Sequence, residues 1–184
     1  MRPLRVVLTG GPHAGKTTLL RALERKGHHV MPEAALVEID LLVRELGTEA
    51  ARSWRQTNMA AFQLRVSQRQ AKIEADLSDD HAGPCFFDRG VIDGLAYCHH
   101  RNVEPPEGLV EASRAARYDL VVVCELVLPF EGRAASGRIS DERAARALEE
   151  LLEKTYVAHG VRTVRLPVMP DEQRLAALEA IVFG

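Results

Sequence analysis

The stretch Gly10-Gly11-Pro12-His13-Ala14-Gly15-Lys16-Thr17 decides the fold, because it reads as G-x-x-x-x-G-K-[ST], the phosphate-binding loop. An apolar run, Leu4–Thr9, comes before it, and a helical pattern of leucines begins directly after it. This strand–loop–helix context is the one that the motif requires. The sequence therefore predicts a site for nucleotide phosphates at the end of the first strand.

The residues of this loop have separate predicted roles. Gly10 and Gly15 allow backbone conformations that a side chain would forbid, so successive N–H groups can face an anion. The helix that follows adds the partial positive charge of its N-terminus. Lys16 should reach the β- and γ-phosphates of ATP, and the Thr17 hydroxyl should bind Mg²⁺. The residues predicted to contact the nucleotide are Gly11, Pro12, His13, Ala14, Gly15, Lys16, Thr17 and Thr18, and His13 is given no catalytic role.

Composition and length narrow the class of protein. A chain of 184 residues is long enough for one domain with a substantial core, and we expect a single domain over 1–184. The net charge of −2 gives no sign of a surface for nucleic acid or for an anionic membrane. No apolar run approaches the roughly 18 residues of a membrane span, and no secretory signal precedes the first strand. We expect a cytoplasmic protein, either a monomer or a homodimer.

The cysteines and histidines do not form a metal set. Cys85, Cys98 and Cys124 are odd in number and widely spaced, which is typical of small apolar residues in a reducing compartment. The pairs His28-His29 and His99-His100 have no ligand spacing with a cysteine or a carboxylate, so a surface role is favoured over metal binding.

Apolar runs and helical patterns alternate along the chain, which predicts an α/β fold. The expected strands are Leu4–Thr9, His28–Met31, Cys85–Asp88, Leu120–Cys124 and Val161–Leu166. The expected helices are Thr17–Lys26, Ala34–Leu46, about Trp54 to Leu77, Val91 to about His100, Asp141–Tyr156, and one that opens at Pro170-Asp171. This order predicts a three-layer sandwich, in which a five-stranded parallel sheet carries helices on both faces and binds ligands at the carboxyl ends of its strands.

Two parts of this assignment bear on the site. The helix from about Trp54 to Leu77 is treated as one long element, with an apolar stripe and an opposite face that includes Gln63 and Gln70. Pro105-Pro106 begins a connection to the fourth strand in which no further element is assigned.

Glu33 follows the short second strand, one strand away from the phosphate loop. A carboxylate at this position can face the γ-phosphate and accept the proton of a substrate hydroxyl as that hydroxyl attacks phosphorus. The alternative is that Glu33 only caps the helix that begins at Ala34, since acids are favoured in a first turn. We favour the catalytic role and keep the cap as the alternative.

Asp88-Arg89 follows the third strand in the manner of a Walker B element. The acid would hold Mg²⁺ directly or through water, and Arg89 would bind the substrate or the transferred phosphoryl group. Glu125, at the end of the fourth strand, is the competing acid and the weaker candidate. Asp93 lies near the start of the next helix, where capping is its default role.

The segment 129–141 is rich in small residues and arginine and is predicted to form a lid. A closing lid excludes water and brings positive charge to the γ-phosphate oxygens. Arg138 and Arg143 are the preferred catalytic arginines, and Arg138 is also expected to contact the nucleotide. Arg133 and Arg146 are better explained as solvated residues.

Together, these motifs resemble the P-loop kinases of small molecules. The nearest groups are the deoxynucleoside kinases and nicotinamide riboside kinase domains of the NadR type, and the chain also looks like small AAA-type ATPase domains. The resemblance implies that Glu33 is the general base and that Asp88-Arg89 corresponds to a Glu/Asp-Arg-Ser motif, with Gly90 in place of the serine. It also implies that a glutamine of the long helix reads a base, and Gln63 is a candidate for that residue.

Two functions therefore follow from the sequence. The first is ATP- and Mg²⁺-dependent transfer of a phosphoryl group to a hydroxyl of a small molecule, such as a nucleoside or riboside. The alternative is an NTPase or nucleotide switch that acts through a protein partner, in which Glu33 orients water and the helix from Trp54 to Leu77 is a docking face. The Asn/Thr-Lys-x-Asp element that reads guanine is absent from the sequence, which argues against a GTPase.

Overall fold

A computed structural model describes residues 2–77, 83–127 and 142–184. The predicted α/β class is confirmed, because five parallel strands form one sheet in the order β2-β3-β1-β4-β5. The strands are β1 (Arg5–Thr9), β2 (His29–Met31), β3 (Cys85–Asp88), β4 (Leu120–Cys124) and β5 (Thr163–Leu166). Apolar residues form all of β4 and the first three positions of β3, and every residue of these two strands is buried.

Eight helices connect the strands within the described ranges. They are α1 (Lys16–Arg25), α2 (Ala34–Leu46), α3 (Thr48–Thr57), α4 (Met59–Ala75), α5 (Asp93–His100), α6 (Glu107–Ala115), α7 (Glu142–Ala158) and α8 (Asp171–Phe183). None of these helices combines the length and the apolar character that crossing a membrane would require.

Alternate residues of the central strands face opposite layers of helices. Val6 and Leu8 of β1 belong to a core that contains leucines of α1 and α8. Val7, between them, belongs to a second core that contains Ile92 and Tyr156 from the other side. This period of two covers both faces of the sheet and produces the three layers. The register pairs Leu8 with Asp88, so the ends of β1 and β3 are neighbours.

The predicted helix from Trp54 to Leu77 is wrong as a single element. The chain breaks at Asn58, whose φ of −115° and ψ of 48° lie outside the helical region. Asn58 still serves both helices, because its side-chain amide donates to Trp54 O at 3.0 Å and its carbonyl accepts from Phe62 N at 2.9 Å. The break separates α3 from α4 and opens the space between them.

The interior face of α4 also differs from the prediction. The buried residues of α4 are Phe62, Gln63, Ser67, Gln70 and Glu74, so the apolar stripe does not define the inner side. Polar residues can be buried here because they face hydrogen-bonding groups and a cavity. Gln70, for example, donates to Glu74 Oε1 at 2.9 Å, and Tyr118 donates to the same oxygen at 2.6 Å.

The connection after Pro105-Pro106 contains α6, which the sequence assignment missed. Pro106 occupies the N-cap of α6 with extended backbone, φ −65° and ψ 147°. Leu109 is fully buried against Val91, Leu95 and Cys98. The short amphipathic pattern of α6 therefore closes a small core on the outer side of α5.

The predicted lid, 129–141, lies wholly within 128–141, outside the described residues. Arg133 and Arg138 therefore have no structural account. Helix α7, expected from Asp141, is described from Glu142 onwards.

Candidate functional site

The phosphate loop joins β1 to α1 and depends on two of its glycines. Gly10 has a φ of 140°, and a Cβ atom at this position would lie 2.4 Å from the carbonyl oxygen of Cys124 at the end of β4. Gly15 has a φ of 71° and precedes the first residue of α1. Only glycine can adopt these backbone angles while neighbouring atoms pack this closely. Both positions of the motif therefore require glycine for steric reasons.

Lys16 is buried and folds back over the loop. Its Nζ donates to the carbonyl oxygens of Gly10 at 3.1 Å and Gly11 at 3.2 Å. Burial and the nearby Arg89 guanidinium lower the pKa of Lys16 to about 8. A phosphate group in the loop would supply the negative charge that this ammonium lacks.

The remaining loop residues lie along the same turn. Pro12 and Ala14 are buried, and His13 adopts a positive φ of 64°. Thr17 and Thr18 are exposed on the first turn of α1, which places the Thr17 hydroxyl where a bound ion could reach it.

Arg174 of α8 holds the phosphate loop in place through hydrogen bonds to backbone carbonyl oxygens. Its guanidinium donates to Ala14 O at 2.9 Å, to Glu125 O at 3.0 Å and to Leu166 O at 3.3 Å. One side chain thus joins the loop to the ends of β4 and β5. Sequence analysis missed this residue, because an arginine in a surface helix is ordinarily solvated.

Glu33 occupies the N-cap of α2 but makes no side-chain capping hydrogen bond. Its Oε1 instead accepts a hydrogen bond from Arg89 Nε at 3.1 Å. The capping alternative therefore describes the backbone position of Glu33 and does not describe its side chain. The carboxylate belongs to the group of residues at the carboxyl ends of β2 and β3.

Arg89 is held at the centre of this group. It has a φ of 70°, which is unusual for a residue with a side chain. Its NH1 donates to Gly10 O and to Asp93 Oδ1, both at 3.3 Å, and its guanidinium lies 5.3 Å from the centre of the Tyr97 ring. The contacts on several sides hold the arginine in this backbone conformation.

Asp93 anchors Arg89, which is a role that the capping interpretation did not foresee. The aspartate is buried and accepts hydrogen bonds from the Thr9 hydroxyl at 2.6 Å, from Gly90 N at 3.0 Å and from the Tyr156 hydroxyl. The network connects β1, the turn after β3 and α7. A lone aspartate in a helical pattern carries no signal for these partners, which are distant in sequence.

The structure explains why glycine stands at position 90. A Cβ atom there would lie 2.7 Å from the hydroxyls of Tyr118 and Tyr156. Two tyrosines fill the space that the serine of the related kinase motif would occupy. The departure from that motif at Gly90 is therefore matched by the packing around it.

Asp88 is the best-placed acid for a metal ion. It is buried at the end of β3, and its Oδ1 has no hydrogen-bond partner among the described residues. Burial and the nearby Glu33 carboxylate raise the pKa of Asp88. An orphaned buried carboxylate oxygen beside a phosphate loop fits a divalent cation, which would compensate the charge.

Glu125, the competing acid, has a different environment. Its Oε1 lies 3.8 Å from Arg165 NH1, so its carboxylate is directed toward β5. In the part of the chain that the structure describes, no three His, Cys, Asp or Glu side chains cluster as a metal site. A cation at Asp88 would thus need ligands from Thr17 and the nucleotide.

A cavity of about 590 Å³ opens beside these residues. Pro12, Glu33, Asp88 and Arg89 line it at the sheet, and residues of α2, α3, α4 and α5 form its other walls. Gln63 of α4 also lines it, as the resemblance to deoxynucleoside kinases implied for a base-reading residue. The volume is that of a typical site for a small organic molecule.

The two arginines of α7 have different surroundings. The Ala145 carbonyl oxygen would lie 3.1 Å from a Cβ on Gly11, so the first turns of α7 pack against the phosphate loop. Arg143 is exposed two residues earlier in this turn. Arg146 pairs with Glu142 at 2.9 Å on the exposed helix face, in agreement with its interpretation as a solvated residue.

Solved structures with a similar fold include two kinases and the NadR protein. Thymidylate kinase from Candida albicans matches with a TM-score of 0.64 at 16% identity, over 98% of this chain and 91% of that chain. Deoxyadenosine kinase from M. mycoides, with products dCMP and dCDP bound, matches with a TM-score of 0.66 at 14% identity, over 97% of each chain. NadR in complex with NR matches with a TM-score of 0.62 at 15% identity, over 99% of this chain and 51% of that chain. The resemblance to P-loop kinases is thereby confirmed at the level of the fold.

The comparison with curated proteins finds no match. The model of one protein family, described as an AAA domain, matches residues 5–174. This range begins with β1 and ends at the arginine that supports the phosphate loop. The chain belongs to this AAA domain family.

Proposed function

We propose that this protein transfers the γ-phosphoryl group of ATP, with Mg²⁺, to a hydroxyl of a small molecule about the size of a nucleoside or riboside. The observation that carries the proposal is the position of the cavity. Glu33, Asp88 and Arg89 line its inner end, directly beside Pro12 of the phosphate loop. An enzyme that only hydrolyses a nucleotide needs no pocket for an organic acceptor beside its phosphate loop. The related deoxyadenosine kinase has been solved with dATP, and NadR with NAD and AMP-PNP, which supports ATP as the donor.

The donor half of the reaction would use the phosphate loop. Backbone N–H groups from Gly11 to Thr18 would bind the phosphates, and Lys16 would exchange its contacts with Gly10 and Gly11 for the β- and γ-phosphate oxygens. Thr17 and Asp88 would hold Mg²⁺, which neutralises phosphate charge when bound. Arg143, and Arg138 from the segment outside the described residues, would add positive charge around the transferred group.

The acceptor half would use the Glu33–Arg89 pair. Glu33 would take the proton from the acceptor hydroxyl while its oxygen forms the bond to the γ-phosphorus. The bond from that phosphorus to the bridging oxygen breaks, and ADP leaves with the electron pair. Arg89 would hold Glu33 in position and bind the acceptor or the transferred group.

The nucleotide switch is the alternative, and the position of α4 weakens it. The switch needs α3 and α4 as an open docking face, whereas the polar face of α4 is buried and lines the cavity.

We keep the single domain over 1–184, the cytoplasmic location and the monomer or homodimer as predictions.

A turnover assay separates the two functions. ADP formation from ATP and Mg²⁺ is measured alone and with a panel of nucleosides and ribosides, and the products are identified by mass spectrometry. For the kinase, one hydroxylated compound should stimulate ADP release strongly and gain one phosphoryl group for each ADP formed. If no compound gains a phosphoryl group and turnover rises only with a protein partner, the switch replaces the kinase.

A further inference from the structure

The outer end of the cavity carries positive charge that the phosphoryl transfer does not use. Arg52 and Arg55 of α3 line it from one side, and Arg101 lines it where α5 ends. Among the described residues, Arg52, Arg55 and Arg101 form no ion pair with a carboxylate. Arg89, at the inner end, is in contrast paired with two carboxylates.

Arg55 is the best-placed of these cations. Its guanidinium lies 5.8 Å from the centre of the Phe62 ring, so it sits on the wall of the cavity. Its Nε is buried without an acceptor among the described residues. Burial and the adjacent Arg52 lower the pKa of Arg55, in keeping with the absence of a paired carboxylate among the described residues.

Few acids oppose this charge. Among the residues that the structure describes, the acids that line the cavity are Glu33, Glu49, Asp88 and Asp93. Glu33 and Asp93 are paired with Arg89 at the inner end, and Asp88 lies beside the phosphate loop. Glu49, exposed on the first turn of α3, is the one acid left to oppose the outer arginines. Among the described residues, the outer end is thus net positive.

Helix α4 gives the distance between the two ends. Gln70 marks the inner end, because it is linked through Glu74 and Tyr118 to the backbone of Val91, two residues after Arg89. Phe62, beneath Arg55, lies eight residues before Gln70 on the same helix. Eight residues of α-helix span about 12 Å.

We propose that the acceptor carries an oxyanion, a carboxylate or a phosphate, at its end remote from the hydroxyl that receives the phosphoryl group, and that Arg52 and Arg55 bind this anion. The inference rests on the proposed function for the identity of the inner end. Arginine suits the role because its planar donors match the geometry of an oxyanion. Other apolar residues that line the cavity, among them Ile39, Val43 and Val66, would contact the body of the acceptor.

The test uses two probes of the same shape and different charge, benzoate and benzamide. Their dissociation constants for the full chain are measured by calorimetry or NMR, both without nucleotide and with saturating AMP-PNP and Mg²⁺ to block the phosphate loop. Benzoate should bind about tenfold or more tightly than benzamide, because bonds to a charged group are the stronger ones. R52Q/R55Q should lose this preference. R44Q, which removes an exposed arginine of α2 outside the cavity, should keep it.

The outcomes are distinguishable from those of the kinase assay. Failure of benzoate to bind at millimolar concentration, equal binding of both probes, or an unchanged preference in R52Q/R55Q would each overturn the anion site. AMP-PNP affinity is measured in the same samples, and its absence would count against the proposed function alone. The two probes are also compared without nucleotide, so the anion site is tested in either case.

Discussion

Arg89 donates from Nε to Glu33 Oε1 at 3.1 Å, and this ion pair joins the end of β3 to the start of α2. The side chains are only 13% and 12% exposed, so both charges are largely removed from water. Such a pair is stable only when additional hydrogen bonds satisfy its remaining groups. Arg89 obtains them from Gly10 O and Asp93, which fixes the direction of the Glu33 carboxylate beside the phosphate loop.

Replacing Glu33 by glutamine tests its role as the general base. E33Q keeps the shape of the side chain and removes its ability to take a proton. We expect phosphoryl transfer to fall by about 10²–10⁴-fold, with ATP affinity nearly unchanged. Single-turnover rates and nucleotide dissociation constants measure the two effects separately.

The control for E33Q is D40N, the same acid-to-amide change at an exposed position of the same helix. D40N should transfer the phosphoryl group at the wild-type rate. Wild-type turnover in E33Q would remove Glu33 from the chemistry and restore the capping role as its explanation.

The lowered pKa of Lys16 predicts that the protein takes up a proton when a nucleotide binds. Burial and Arg89 lower its pKa to about 8, so at pH 8 about half of the molecules carry a neutral Lys16. Bound phosphates favour the charged form and raise the pKa, so binding should take up about half a proton at pH 8 and much less at pH 6.5. Calorimetry in EDTA, with buffers of different ionisation enthalpy, measures this number.

Arginine at position 16 keeps its charge throughout this pH range, so K16R should show no proton uptake at pH 8. K26R changes a lysine that pairs with Glu179 on the surface, and it should behave like the wild type. Equal uptake in K16R and wild type would show that another group gains the proton.

We expect Asp88 to lower the free energy of unfolding when no metal ion is bound. The same residue is the proposed metal ligand. D88N removes the buried negative charge of Asp88, which repels the charge of Glu33. It also replaces a carboxylate whose Oδ1 has no hydrogen-bond partner among the described residues. In EDTA, we expect its free energy of unfolding to be unchanged or to rise by about 1–2 kcal/mol, as urea denaturation would show. The dependence of nucleotide affinity on Mg²⁺ should disappear in D88N.

Glu125 provides the matched control for Asp88, since it was the competing acid. E125Q should retain the Mg²⁺ dependence of nucleotide affinity. If E125Q loses that dependence and D88N retains it, the assignment of the two acids must be reversed.

Gly90 should not tolerate the serine of the related kinase motif. G90S would bring a Cβ to within 2.7 Å of Tyr118 and Tyr156, and overpacking of this kind costs about 1–3 kcal/mol. Urea denaturation should show that loss. G108A is the control, because only the flexible end of Leu64 lies near its new methyl group and alanine favours a helix. A G90S variant as stable as the wild type would show that the tyrosines move apart easily.

The parts of this fold that follow from local patterns could be predicted from the sequence. Leu120–Cys124 is a continuous apolar run, and a strand buried on both faces has no other composition. The spacing of Gly10, Gly15 and Lys16 located the phosphate loop, and the ends of the strands located Glu33 and Asp88.

The parts that depend on distant partners could not be predicted. Asp93 meets Thr9 across 84 positions of the chain, and Arg174 meets Ala14 across 160. Each is a polar residue in a helix and looks like a solvated one when only its neighbours are known. The inward polar face of α4 could not be predicted for the same reason, because its polar residues face a cavity and hydrogen-bonding partners that the local pattern does not show.

The hydrogen bond from Arg174 to Ala14 O affects when the phosphate loop acquires all of its contacts during synthesis of the chain. At synthesis rates of about 5–20 residues per second, α8 follows the phosphate loop by roughly 8–32 s. During that interval the loop lacks the side chain that ties it to β4 and β5. We therefore expect the nascent chain to gain its full affinity for nucleotide only when α8 has left the ribosome.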